Sequence, residues 1–238
     1  MSRLYTIGGV DYPSVTTVLD CLGKGDALLH WAVKCATLYI RQNRGLGLSL
    51  DELLGKAEQN WKMAKEEAAG IGTEIHDLIE VYIKEGRDAV GKYRPEVTHG
   101  FLAFLEWEKA HGVKWIKSEM QIVSHVHGYA GTLDAICIYE GRPYVIDFKS
   151  SKSFYDTFGM QIAAYRKAAE EMGHTIEGTG ILRLDKVTGE PEWKDYSKDY
   201  DKDVTAFLKL LDFYYHQKQR RLKNNKFVSA AKPKLINA

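Results

Sequence analysis

The chain has 238 residues, 45% of them hydrophobic, with 33 basic and 32 acidic side chains and a net charge of +1. That is enough apolar material for one large domain, or for a core with a helical appendage. The near-neutral balance neither favours nor excludes a polyanionic partner; what matters is where charge clusters. No apolar run reaches about 18 residues, which excludes an ordinary membrane-spanning helix, and the opening MSRLYTIGGVDYP does not read as a secretory signal. Cys21, Cys35 and Cys137 form no CxxC pair and no zinc-like spacing with histidine. They cannot complete an iron–sulfur site of four thiolates, and they read as reduced thiols of a cytoplasmic protein.

Arg3 to Tyr12 reads as a small hairpin turning at Gly8-Gly9 and stopped by Pro13. Ser14 is placed to cap a short helix through Leu22. A helix is expected from Asp26 to Gln42, with Leu28, Leu29, Trp31, Ala32, Cys35, Leu38 and Tyr39 as its apolar stripe. Ser49-Leu50-Asp51-Glu52 is a capping box opening another helix toward Ala69. Gly70-Ile71-Gly72 is expected to interrupt it before a separate helix over Thr73 to Glu85, with Ile75, Leu78, Ile79 and Tyr82 inward. His76 lies beside that stripe with Glu80 four residues on. Alone it reads as a core-edge histidine, since an imidazole ligand needs partners. Gly86 to Pro95 is a loop, and Glu96 to His111 an amphipathic helix carrying Phe101, Leu102, Leu105 and Trp107.

Three β-rich runs follow: Val113 to Ser124, Gly128 to Tyr139 and Tyr144 to Lys149, the last two joined by the turn cluster Glu140-Gly141-Arg142-Pro143. Asp134, Asp147 and Lys149 fall inside runs that otherwise look buried, where a charge is costly unless paired or bound to a metal. If Tyr139 pairs with Tyr144, Asp134 lies opposite Lys149 and diagonal to Asp147, and all three charges meet on one side of the hairpin. A one-residue slip would part Asp134 from the others. Two carboxylates and an amine on one rigid surface suit metal-assisted phosphodiester hydrolysis. An ordinary hairpin with a buried salt bridge gives the same pattern. Glu119, in the first run, reads either as facing the metal pocket or as holding a neighbouring basic group, the second ranked ahead.

Ser150-Ser151-Lys152-Ser153 is a polar loop, able to donate to a phosphate or simply to cap the next helix. That helix, Asp156 to Met172, places Gln161 and Tyr165 four apart on one face. The pair suits a phosphate or base contact, and equally suits helix packing with polar tips. Ile181 to Leu184 and Glu192 to Tyr196 are further strands around a Thr188-Gly189 turn, and Asp201 to Lys223 is a final helix. Its basic end, His216 to Lys226, is read first as cations favoured near a helix C-terminus and second as a phosphate contact. Residues 229–238 are expected to be a frayed tail.

Taken in order, Gly72-x-x-x-His76, Glu119, Gly131-x-x-Asp134, Asp147-Phe148-Lys149 and Gln161-x-x-x-Tyr165 resemble the PD-(D/E)xK nuclease superfamily, in particular its RecB-type exonuclease branch. Tyr12-Pro13-Ser14-Val15-Thr16-Thr17-Val18-Leu19 with Trp31-Ala32 is similar to phage exonucleases of that branch and to mitochondrial genome maintenance exonucleases. Leu133 replaces the nominal proline of the signature, as is common in the branch. The resemblance implies an α/β fold: a restriction-endonuclease-like core with a central mixed sheet flanked by helices, plus an N-terminal helical region. One nuclease domain would span 1–238, with residues 1–112 mainly helical and carrying His76, and 113–228 forming the catalytic core. It implies His76, Asp134, Asp147 and the Phe148 carbonyl as ligands of Mg²⁺ or Mn²⁺, with Asp134, Asp147 and Lys149 catalytic. Gln161 and Tyr165, with Ser150 and Ser151, would contact DNA. Glu119 matches an acidic position upstream of the GxxD motif. The implied activity is exonucleolytic hydrolysis from DNA ends, single-stranded ends above all, leaving a 3′-hydroxyl and a 5′-phosphate. It would serve phage recombination, replication or DNA processing in the bacterial cytoplasm, with phage recombination or replication proteins as partners. The rivals are a non-catalytic nucleic-acid-binding module of the same fold and a structure-specific endonuclease.

Overall fold

A computed structural model describes residues 3–23, 25–86 and 91–224. The expected tail at 229–238, part of the Gly86 to Pro95 loop and the end of the basic stretch at 225–226 lie outside the described residues. The chain forms two compact units, Met1–Cys21 with Ile75–Ala238, and Leu22–Glu74.

The first unit opens with an antiparallel hairpin, β1 (Leu4–Ile7) and β2 (Val10–Pro13), followed by α1 (Val15–Leu19). Ser14 caps α1 by accepting from the Thr17 amide at 2.9 Å. A mixed five-stranded sheet follows, ordered β3-β4-β5-β6-β7: Lys114–Ser124, Tyr129–Tyr139, Arg142–Lys149, Gly178–Leu184 and Pro191–Asp195. Only β5–β6 is parallel, and its crossover is α5 (Thr157–Glu171), as a parallel connection requires. The helices α4 (Pro95–His111) and α6 (Tyr200–Asn224) complete the unit. The architecture is α/β, with a mixed sheet flanked by helices and a helical N-terminal region.

Against α5 and α6 lies an apolar layer that includes Leu133, Val145, Ile162, Ile181 and Phe207. A second layer is aromatic: Phe104 stacks on Trp115 and meets the edge of Phe148, and Trp107 stacks on Tyr139. Leu102, expected inward on α4, is 51% exposed while Phe104 is fully buried. The 3.6-residue face runs Val97, Phe101, Phe104, and Leu102 falls off it.

The second unit contains α2 (Gly25–Asn43) and the first part of α3 (Leu50–Glu85). Ser49 and Glu52 close the expected capping box: the Ser49 amide donates to Glu52 and the Glu52 amide to Ser49. The expected interruption at Gly70-Ile71-Gly72 does not occur, and one 36-residue helix runs through it. Each glycine weakens a helix by about 1 kcal/mol without breaking it, and Ile71 is buried between them. On α2, Leu29 and Leu38 of the expected stripe are 64% and 42% exposed. Among the described residues no helix is long and apolar enough to cross a membrane. Burial pushes the Cys137 thiol up to about 12, in line with an inert internal cysteine.

Candidate active site

The β4–β5 hairpin differs from the expected pairing in one respect. Its loop is Glu140-Gly141, with φ +49° and +77°. This is the double left-handed conformation of the tight hairpin turn whose twist matches the flanking strands. Arg142 and Pro143 therefore join β5, and Cys137, not Tyr139, pairs with Tyr144. The register is shifted by two residues, so alternation is preserved. Continued past Ala135↔Ile146, it sets Asp134 across from Asp147, not from Lys149. The Phe148 amide donates to Asp134 Oδ2 at 2.7 Å, and Lys149 Nζ forms an ion pair with Asp147.

Glu119 completes the row. Ser118↔Ala135 and Met120↔Leu133 are partners, which puts Glu119 across from Asp134. Its φ of +48° is rare for a residue with a side chain, and costs about 1–2 kcal/mol. The position explains why. Gly131 faces α5, where a Cβ would meet the Tyr165 ring at 2.9 Å. Asp147, across from Asp134, also faces α5, accepting from Gln161 Nε2 at 3.2 Å. Positions 131 and 134 differ by an odd number, so strict two-residue alternation fails between them. The left-handed residue sits on the neighbouring strand at that break.

The imidazole of His76, from the sheet-bearing unit's part of α3, approaches with Nδ1 3.4 Å from Asp134 Oδ2. One ligand atom each from His76, Glu119 and Asp134 lies within 4.8 Å of the others. This is the spread of donors around one cation at about 2.0–2.5 Å. The neighbours of Glu119 include a base, His76, and a carboxylate, Asp134, so both readings of Glu119, beside a basic group and facing a metal pocket, remain open.

The electrostatics agree with a site built for added positive charge. Burial by itself opposes a charged His76, but the Asp134 carboxylate, with Asp147 behind it, outweighs burial and raises the imidazole pKa to about 9. Burial and then the Asp134 charge push Glu119 up to about 7. Burial and Asp134 likewise push Asp147 up to about 6, against the pull of Lys149. Burial would raise Asp134 too, yet the charge and hydrogen bond of His76 win and hold it below the usual carboxylate range. Like charges gathered in one low-dielectric site keep protons unless a cation replaces them.

Gln161 and Tyr165 are both buried, and Gln161 Nε2 also donates to the Tyr165 hydroxyl at 3.0 Å. Spacing alone does not choose between packing and contact for this pair; in the structure they form one network with Asp147. Ser150 is half-buried beyond Lys149. The Ser151 hydroxyl donates to the Ser153 carbonyl at 2.8 Å, and the Ser151 carbonyl accepts from Arg183 at 3.2 Å. Arg183, unremarked in the sequence, is buried beside Lys149 on the parallel ladder and is also clamped by Glu192 and Asp185. Glu80 pairs with Lys84.

No family model and no curated protein matches the chain. Among solved structures, one described as "Crystal structure of SSO0001" is similar at 16% identity, covering 59% of this chain and 72% of that one, with a TM-score of 0.26. A likeness that distant carries no argument.

Proposed function

We propose that this chain is a divalent-metal-dependent deoxyribonuclease with a restriction-endonuclease-like core, acting as an exonuclease of the RecB type. The observation that carries the reading is one constellation. Glu119, Asp134 and Asp147 stand in a row on adjacent strands, His76 joins them from a helix, and Lys149 is paired to Asp147. His76 and Lys149 pair with Asp134 and Asp147, so Glu119 is a third carboxylate beyond what two ion pairs need, and its place beside His76 and Asp134 suits a cation site.

His76, Glu119, Asp134 and Asp147 would hold Mg²⁺ or Mn²⁺, with the Phe148 carbonyl as the further ligand implied by the motif. When bound, the cation supplies charge to a phosphoryl oxygen and acidifies an attacking water. The Phe148 amide fixes the Asp134 carboxylate, and Gln161 fixes that of Asp147. Lys149, paired with Asp147, would direct its ammonium at the negative charge developing on the phosphoryl oxygens. Gln161, Tyr165, Ser150 and Ser151 border the path of the strand.

The test is cleavage of end-labelled linear single- and double-stranded DNA with Mg²⁺, Mn²⁺ or EDTA, beside Asp147→Ala. Metal-dependent loss of nucleotides from one end, absent in the variant, supports the reading and reveals polarity. Rapid cutting of circular single strands would replace exonuclease by endonuclease. Binding without cleavage under any metal would leave a non-catalytic DNA-binding module.

A further inference from the structure

We infer that Arg3, stacked on Tyr5, forms a phosphate-holding site for the nucleic-acid strand where β1 meets β4. This rests on the nuclease reading above. Arg3 is exposed. Here its backbone is held on both sides. The Arg3 amide donates to Thr17 Oγ1 at 3.0 Å, and its carbonyl accepts from the Thr17 hydroxyl at 3.1 Å and from the Ser14 amide at 3.1 Å. The guanidinium lies over the Tyr5 ring, 5.0 Å from its centroid, within cation–π range. Tyr5 is buried, and its hydroxyl is 3.1 Å from Thr132 Oγ1.

Thr132 stands two residues before Asp134 on β4, about 7 Å along the strand. Among the described residues no carboxylate stands within ion-pair distance of Arg3. A cation is thus ordered, tethered through Tyr5 to the strand that carries the candidate metal ligand, and, among the described residues, without a carboxylate partner. A stacked guanidinium offers its donor edge to phosphate oxygens while little rotamer freedom remains to be lost. The ligand chemistry is a phosphate monoanion or dianion, from an internal phosphodiester or from a terminal phosphate.

The experiment compares wild type, Arg3→Ala and Arg3→Lys on single-stranded oligonucleotides, with binding followed across a salt series in EDTA and cleavage in Mg²⁺. The oligonucleotides carry a 5′-phosphate, a 3′-phosphate or neither. Arg3→Ala should weaken binding and raise KM about tenfold with kcat nearly unchanged. It should also lower the slope of log Kd against log salt by about 0.7, the value for one phosphate on a single strand. Arg3→Lys should restore the slope but only part of the affinity, since an ammonium keeps the charge and loses the fork. A loss confined to one phosphorylated end assigns a terminal phosphate; a loss on all three assigns an internal one. Wild-type cleavage with an unchanged slope and KM in folded Arg3→Ala overturns this inference alone. A wild type that neither cuts nor binds DNA removes the nuclease reading itself.

Discussion

Asp134 and Asp147 face each other across the β4–β5 hairpin, and their environments push their ionisation in opposite directions. Asp134 is held below the usual range by His76 despite its burial, while burial and Asp134 raise Asp147 to about 6.

Asp147→Ala should reduce metal-dependent cleavage at least a thousandfold, because the carboxylate sits within the Gln161, Lys149 and Asp134 contacts at once. Lys149→Ala should lower kcat far more than DNA affinity. Steady-state kinetics beside a binding isotherm checks both; normal turnover in Lys149→Ala would remove its assignment.

Gln161→Ala leaves Asp147 Oδ1 and the Tyr165 hydroxyl without their shared donor. An unsatisfied buried group costs about 1–3 kcal/mol. Urea unfolding of the metal-free protein should show a loss of that size, and the acid limb of the pH–rate profile should move to higher pH as Asp147 loses a stabilising donor. An unmoved limb together with full stability would show that the network does not govern the site.

At Glu119 the backbone and the side chain can be separated. With φ at +48°, glycine should be more stable than alanine by about 1 kcal/mol. Both should weaken metal binding, as the carboxylate is lost in each. Denaturation midpoints and calorimetric titration with Mn²⁺ test the two halves. If Glu119→Ala bound Mn²⁺ like the wild type, Glu119 would return to a structural role.

The metal-free protein should lose stability as pH rises from about 5 to 9. Asp147 and Glu119, raised to about 6 and 7, favour the fold while protonated, and that contribution fades as pH passes those values. His76, raised to about 9, contributes fully below its ordinary value and loses its contribution as pH rises through 9. Asp134, lowered, works in reverse and matters only at the acid end. A bound cation replaces the departing protons, so the gain in Tm with Mg²⁺ should be larger at pH 8.5 than at pH 6. Calorimetry at both values decides, and a gain that shrinks with pH would contradict the site.

Much of the fold was legible locally. The hairpin at Arg3 to Tyr12, the Ser14 cap, the Ser49–Glu52 box, both sheet-covering helices and all five sheet strands follow from capping chemistry and periodicity, which act over a few residues. The gathering of Asp134, Asp147 and Lys149 was also legible, because alternation survives a two-residue error in register. Three things were decided only by tertiary structure. The two glycines at 70 and 72 did not stop α3, since packing of Ile71 overrides a small local penalty. Glu119 met Asp134 because β3 pairs with β4 in one particular register, which no stretch of β3 specifies. The contacts Gln161–Asp147, Phe148–Asp134, Arg183–Ser151 and Tyr5–Thr132 join residues 14 to 127 positions apart. Local rules name the side chains that can carry charge; only the assembled sheet, with its strand order and its break in alternation, determines which of them meet.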